Sequence, residues 1–451
     1  MGIHDANLER ADRATIRGLQ FDKLRRLLAK TWATNAFYRD RWRAAGVDLD
    51  DIGTLEAFAA RVPVVEKADF MRDQEDAPPF GRRHAHVLHS GAPYYVGLTG
   101  GTTGQGVEVH LQTADEMTGT AEVYAYYFAW AGVGRGDLVF LTMPVTMMGG
   151  GRIEYDGARA NGLSVCAVGN YDAARKLDLM RRFRPKALIG TTSYFGHLAA
   201  VSRDRPPSPG LAKLLTGAEG AGIAYLRRLE ELWQATIFDR YGSTQVGNDH
   251  MFSCEAGLGE PGRPAMLHNI EPMVLCEVID PETGRHAADG EAGEVVLTSL
   301  YHTETPLVRW RSRDRAVYRD PRSCACGRPF AGVEVASLSR ADDVVKVKGV
   351  NIWPQAVEDT LFTESVVDEF EVVLSSSDTE ADVATARIMP VRPLSETELA
   401  GVRRSLEGKL RRKVGISFEI ELVAPGALVR SEHKIRRWKD QRVHRAGAEA
   451  R

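Results

Sequence analysis

The stretch Val96-Gly97-Leu98-Thr99-Gly100-Gly101-Thr102-Thr103-Gly104-Gln105-Gly106 decides how the rest of this chain is read. Glycine takes positive φ without steric cost and lets a backbone approach a ligand closely, so successive N–H groups on such a loop can point inward at an anion. Thr99, Thr102 and Thr103 add hydroxyl donors to the same loop. Tyr94, Tyr95, Val96 and Leu98 precede it, and Val107, Val109 and Leu111 alternate with polar residues after it, which predicts two strands joined by the loop. No lysine follows Gly104, so this is not the Gly-Lys-Ser/Thr loop that opens a helix, although a nucleoside triphosphate remains the natural ligand. Read alone, Gly/Thr richness suits an ordinary hairpin turn equally well.

Working outward, Leu19 to Trp42 carries apolar residues at helical spacing, and so does Ala114 to Ala131, which is unusually aromatic through Tyr124, Tyr126, Tyr127, Phe128 and Trp130. Those rings suit core packing or a wall for a flat substrate. From Leu138 to Arg240 short apolar runs alternate with helical ones, which predicts parallel crossovers and an open α/β sheet. Ligands of such sheets gather at the carboxyl ends of the strands, where Thr191–Tyr194, Gly217–Gly220 and Tyr241–Gln245 fall. Met147-Met148-Gly149-Gly150-Gly151 reads as a flexible turn. Beyond Gly262 the texture changes to strands and hairpins, and from about Leu338 a smaller α/β unit begins. The expected architecture is therefore α/β, a large domain over residues 1–338 with mixed sheets and flanking helices, and a small α+β domain over 339–451.

The chain has 451 residues, too many for one core, with 43% hydrophobic and 26% charged residues and a net charge of −3. That balance gives no support to a nucleic-acid or membrane-surface protein. The start shows no basic-then-apolar leader pattern and no run approaches a membrane span. Five cysteines, an odd number in a long chain, argue for a reducing compartment, with the cytoplasm as the expected location.

Several separated segments then occur in a recognisable order. Leu98 to Gly104, Tyr241-Gly242-Ser243-Thr244-Gln245, Arg311-Ser312-Arg313-Asp314, Ser339-Arg340-Ala341-Asp342-Asp343 with Lys346 to Pro354, and Arg430-Ser431-Glu432-His433-Lys434 resemble the motifs of adenylate-forming enzymes. Asn35 to Arg39, Ala45-Gly46-Val47 and Cys324-Ala325-Cys326-Gly327-Arg328 are similar to the phenylacetate–CoA ligase subgroup in particular.

The resemblance implies a ligase that joins a carboxylate to the α-phosphate of ATP, releases pyrophosphate and passes the acyl group to CoA. It implies that Thr99, Gly100, Gly101, Thr102, Thr103 and Gly104 wrap the outer phosphates, and that Gly217, Ala218, Glu219 and Tyr241 frame the adenine. Gly242, Ser243 and Thr244 would line the α-phosphate, Asp314 would accept the ribose hydroxyls, and Arg340 and Lys346 would border the nucleotide. Lys434 would bridge the carboxylate and phosphate oxygens as a mobile point charge. Asp342 falls at the hinge on which the small domain swings. Tyr126, Met148, Gly149 and Gly150 are the candidate acid-binding residues, suited to an aryl or arylacetic acid.

The chain departs from the family at Gln245, where a Mg²⁺-holding glutamate is usual; a carboxamide oxygen ligates without formal charge, and a nearby acid such as Asp249 could compensate. Gln105 and His433 also replace usual residues, lysine and glycine. Cys254, His268, Cys324 and Cys326 form a ligand set suited to structural Zn²⁺, as in some relatives, while free thiols and a lone histidine are the plain alternative. Relatives are often homodimers, so the same is expected here. Two rival readings stay open: transfer of the activated acid to an amine in secondary metabolism, and a nucleotide-binding relative that has lost catalysis.

Overall fold

The computed structural model describes residues 2–99, 107–147, 149–202, 204, 206–260, 263–340, 343–376, 382–428 and 437–442. The helical pattern near the start forms two helices, Arg13–Thr34 and Ala36–Ala44, where one was expected. Asn35 separates them: its backbone is extended and its side chain accepts from the Tyr38 N–H, which caps the second helix.

The strands predicted around the Gly/Thr loop are β1 (Tyr94–Thr99) and β2 (Glu108–Thr113), paired antiparallel with Thr99 opposite Glu108 and Gly97 opposite His110. Thr113 then opens the helix Ala114–Ala131 through a reciprocal capping box with Glu116, and Gly132, at φ +67°, ends it.

The alternating region folds as β3 (Leu138–Leu141), β4 (Ser164–Ala167), β5 (Ala187–Thr191), β6 (Lys213–Gly217) and β7 (Thr236–Ser243), all parallel in the order β4-β3-β5-β6-β7. The sheet continues antiparallel through β8 (Asn248–Ser253), Met266–Asn269, Gly332–Glu334, Trp310–Arg319, Ala292–Ser299 and Val274–Ile279. Ser339–Arg340 adds to this sheet by pairing with Trp310–Arg319, two residues past the boundary expected at 338. Tyr124, Tyr127 and Phe128 fill the core beneath it, Tyr127 stacking on Phe252 at 4.5 Å.

The glycines of Met147–Gly151 open the helix Gly149–Ala160 instead of forming a flexible turn. A Cβ on Gly151 would lie 2.1 Å from the Pro144 carbonyl oxygen, so only glycine allows the helix to start so close to that loop. Thr192–Tyr194, expected as a loop, open the helix Thr192–Val201 directly from β5.

The smaller unit holds a four-stranded sheet, Glu419–Leu422, Asp382–Pro390, Val367–Ser376 and Trp438–Asp440 in spatial order, with the helices Pro354–Leu361 and Glu396–Val414. It rests on the helix Ile223–Trp233 of the large unit. Tyr225 stacks on Phe362 at 4.6 Å, the Gly222 N–H donates to Glu358 at 3.2 Å, and Arg228 pairs with Asp368 at 3.2 Å.

Candidate active site

The carboxyl ends of β5 and β6 meet where Glu219 accepts from the Ser193 N–H, and the end of β7 meets the β1–β2 hairpin at Thr244 and Gln245. Tyr241, on β7, donates its phenol proton to Asp314 Oδ2 at 2.7 Å, and burial together with the Asp314 charge pushes that phenol well above its ordinary value. Arg340 reaches Asp314 Oδ1 at 3.6 Å from the neighbouring strand, in register with it. Segments about 70 residues apart in the chain thus share one carboxylate. Glu219 follows β6 and accepts from the Ser193 N–H, while Ala218 takes φ +66°, a left-handed turn. A Cβ on Gly217 would lie 2.5 Å from Arg240 Cγ, so β6 and β7 approach there only because the residue is glycine.

Beyond Tyr241, Gly242 and Ser243 pair with β8, and Thr244 to Gly247 form a tight turn closed by the Gly247 N–H on the Thr244 carbonyl at 3.0 Å. Thr244 packs against Gly97 and Gly149, where added Cβ atoms would meet it at 3.4 and 3.2 Å. A cavity of about 470 Å³ opens at this turn, bordered by β1, β2, the first turn of Gly149–Ala160 and His302 to Leu307.

The carboxylate that meets Gln245 belongs to Glu108. Gln245 Nε2 donates to Glu108 Oε2 at 2.9 Å, and Thr99 Oγ1 lies 3.4 Å from the same oxygen. On the other side His110 Nε2 stands 3.0 Å from Glu108 Oε1, and Arg83 Nη1 is 3.3 Å from His110 Nδ1. A guanidinium only donates, so His110 Nδ1 accepts and its Nε2–H faces the carboxylate. Burial alone would raise the Glu108 carboxyl, but His110, with Arg83 and Gln245, pulls it down to about 2. Of the alternatives open for Gln245, compensation by Asp249 is not what the structure holds. Asp249 Oδ2 accepts from Arg240 Nε and from the Tyr124 hydroxyl, each at 2.8 Å, away from Gln245.

Arg240 itself is fully buried and ties the floor of the cleft together. It pairs with Glu154 of Gly149–Ala160 and with Asp249 of β8, and donates to the Leu215 carbonyl of β6 at 2.7 Å. Burial pushes the Glu154 carboxyl up, against the pull of the Arg240 guanidinium beside it.

Of the acid-binding candidates, Gly149 lines the cavity, whereas Gly150 faces Met143, 3.7 Å from where a Cβ would stand. Tyr126 is not brought to the cleft. It packs edge-on against Trp130 and Phe330, each at 6.0 Å, because the helix carrying it is covered on both sides and this ring faces the N-terminal segment. Lys346 lies exposed on the small-unit hairpin Val345–Val347/Val350–Ile352. Gly100, Gly101, Thr102, Thr103, Gly104, Gln105, Met148, Asp342, His433 and Lys434 lie outside the described residues. Glu108, His110, Arg83, His84 and His302 were missed by sequence reasoning; the alternation of Glu108, His110 and Gln112 along β2 was the available signal.

Far from the cavity lining, Cys254, His268, Cys324 and Cys326 bring their ligand atoms within 4.8 Å of one another. Cys254 and Cys324 sulfurs are 3.6 Å apart, close to the roughly 3.8 Å separating two thiolates that each lie about 2.3 Å from one tetrahedral zinc. His268 Nδ1 donates to the Phe330 carbonyl at 2.9 Å, which leaves the Nε2 lone pair facing Cys326 Sγ at 3.3 Å. The donor set, its geometry and the fixed tautomer all fit Zn²⁺.

Known proteins share this arrangement. The family model described as AMP-binding enzyme matches residues 45–305, and that of the AMP-binding enzyme C-terminal domain matches 349–442. The chain is 28% identical to the phenylacetate-coenzyme A ligase of Thermus thermophilus, covering 98% of this chain and 100% of that protein. It is 27% identical to the phenylacetate-coenzyme A ligase of Pseudomonas putida, covering 98% and 99%. Among solved structures, 2-hydroxyisobutyryl-CoA ligase in its postadenylation state superposes with a TM-score of 0.85 at 25% identity, covering 96% of this chain and 91% of that one. Against the thioesterification state of that ligase the TM-score is 0.68 at the same coverage, so the chain is more similar overall to the postadenylation structure.

Proposed function

Because this chain belongs to the AMP-binding enzyme family, we propose that it activates a carboxylic acid with ATP, forming an acyl-adenylate and pyrophosphate, and then transfers the acyl group to coenzyme A. The observation that carries this reading is that three separate stretches of sequence meet, Tyr241–Gln245 contacting Asp314 through Tyr241 and Glu108 through Gln245. Its relatives that act on phenylacetate support an aryl or arylacetic acid as the substrate class.

Adenylation brings an anionic carboxylate toward an anionic phosphate, so preorganised donors and cations must offset their repulsion. In this reading Asp314, an acceptor-only group oriented by the Tyr241 hydroxyl, receives the ribose hydroxyls. Glu219 and Tyr241 border the adenine, and Thr244 donates to the α-phosphate. The first turn of Gly149–Ala160 adds the positive end of a helix dipole beside Thr244. Lys434 reaches the reacting oxygens on the swinging small domain, with Asp342 as the hinge.

The donor chemistry also fits Mg²⁺. Gln245 Nε2 points at Glu108, so its carbonyl oxygen is the end left for a cation, and the ionised Glu108 restores the charge that position 245 lacks. Bound there, the ion would neutralise phosphate charge. Nothing in this reading calls for a second subunit.

ATP–pyrophosphate exchange measured with a panel of aryl, arylacetic and aliphatic acids tests the proposal. Exchange that depends on the acid, followed by CoA-dependent thioester formation, is the expected result. No exchange with any acid would reject it.

We assign structural Zn²⁺ to the cysteine–histidine cluster. Purified protein should carry one equivalent of zinc by elemental analysis, and Cys324→Ser should remove it. At free zinc 1,000 times the dissociation constant the lost stabilisation is about 4 kcal/mol, read as a lower thermal midpoint. Full zinc content in the variant would contradict the assignment.

A further inference from the structure

One wall of the cavity is more polar than a pocket for an unsubstituted ring requires. His84 is 3% exposed and lines the cavity, yet neither of its ring nitrogens makes a well-aligned hydrogen bond among the described residues. Arg83 Nε beside it is likewise without one. Leaving a buried polar group unsatisfied costs about 1–3 kcal/mol. A site that keeps such groups is completed by what binds in it.

The remaining polar wall has a defined hydrogen-bonding pattern. Gln112 Nε2 donates to Thr120 Oγ1 at 2.7 Å and to His302 Nε2 at 3.0 Å, which uses both amide protons. His302 must therefore carry its proton on Nδ1, and Gln112 Oε1 is left as an acceptor. Burial, reinforced by Arg83 and His110, holds His84 well below its ordinary value, so at neutral pH it offers one donor and one acceptor. The fixed charge of Arg83 already faces Glu108 through His110. The wall thus presents mixed donors and acceptors, suited to a neutral polar group and not to a second carboxylate. Leu111, Met117 and Ile153 supply the apolar sides.

We propose that the acid activated by this protein bears a hydroxyl or amino substituent, which is read by His84, Gln112 and His302 in the cavity wall. This rests on the reading of the chain as a carboxylate-activating ligase. Such a group both donates and accepts, which is what a neutral imidazole and the Gln112 carbonyl call for. An unsubstituted phenyl ring would bury them without partners. The same wall accounts for the buried polar face of β2, where Gln112 continues the line of Glu108 and His110 along the strand.

The test compares acid-dependent pyrophosphate release for matched pairs: benzoate with hydroxy- and aminobenzoates, and phenylacetate with its hydroxy and amino derivatives. One or more substituted acids should exceed the parent in kcat/KM by about 10–100-fold. His84→Phe and Gln112→Leu should each shrink that ratio while the KM for ATP stays within about twofold. The two variants carry independent folding risks, so the loss of one leaves the other informative, and circular dichroism verifies each. Parent acids turned over as well as every substituted partner would overturn the inference and leave the ligase reading standing. A ratio unchanged in a folded variant would overturn it as well. If no acid of either kind releases pyrophosphate, the ligase reading fails first and this inference falls with it.

Discussion

Lys434→Ala is expected to lower acid-dependent ATP–pyrophosphate exchange by about 10²–10³-fold, the scale of losing one preorganised group that stabilises developing charge. Thioester formation from a supplied acyl-adenylate should be largely spared. The split follows from the role proposed for this residue. An ammonium on a long flexible stem is needed while carboxylate and phosphate oxygens are forced together, and that repulsion is absent once the adenylate exists. Lys434→Arg should recover little, because a planar fork does not replace a compact point charge. Measuring the two half-reactions separately checks this, and equal loss in both would contradict the role.

Arg240→Leu should destabilise the protein by about 3–5 kcal/mol, the usual cost of stripping one partner from a buried ionic cluster. Arg240 is fully buried between Asp249 and Glu154 and holds the Leu215 carbonyl as well. Its removal leaves Asp249 charged with only the Tyr124 hydroxyl for company, and frees the end of β6 and the helix Gly149–Ala160 from β7. Adding Asp249→Leu to Arg240→Leu should restore part of the loss, since an apolar replacement of the whole pair carries no stranded charge. Urea unfolding reads both effects. A single variant within about 1 kcal/mol of wild type would show that the cluster contributes little. Adenylation should fall with it, because Thr244 and Gly149 are held by the elements that Arg240 joins.

Much of the framework was legible in advance because it depends on local rules. Alternating apolar and helical runs correctly indicated five parallel strands, and the Thr113/Glu116 pair is a local signature of a helix start. What failed locally failed for identifiable reasons. Asn35 divided a continuous helical pattern because its side chain caps the second helix. The glycines at 149–151 were read as a flexible turn because their use, a close approach to Pro144, is a contact with another segment.

Within the site, β2 is the instructive case. Period-two alternation identified its two faces, and the apolar face was the natural one to bury. Both faces are buried instead, Leu111 at 3% exposure on one and Glu108 completely on the other, while Val107 just before the strand is 48% exposed. Arg83 comes from a segment before the hairpin and Gln245 from one far beyond it, and only their arrival makes burying a carboxylate affordable. Tyr126 fails in the opposite sense: its helix is buried nearly all round, so spacing could not say that this ring faces Phe330 and not the cavity.

By itself, then, the sequence determined the α/β framework, the Gly/Thr hairpin, the family motifs in their order and the set of thiol and imidazole ligands. These depend on residue type and short-range spacing, which a linear reading contains. Only the tertiary structure decided that Glu108 faces Gln245, that Asp249 belongs to Arg240, that the ligand atoms of Cys254, His268, Cys324 and Cys326 lie within 4.8 Å of one another and that histidines line the cavity. Each of those is a distance between segments remote in the chain, set by how the sheet and helices pack, and no local propensity encodes it.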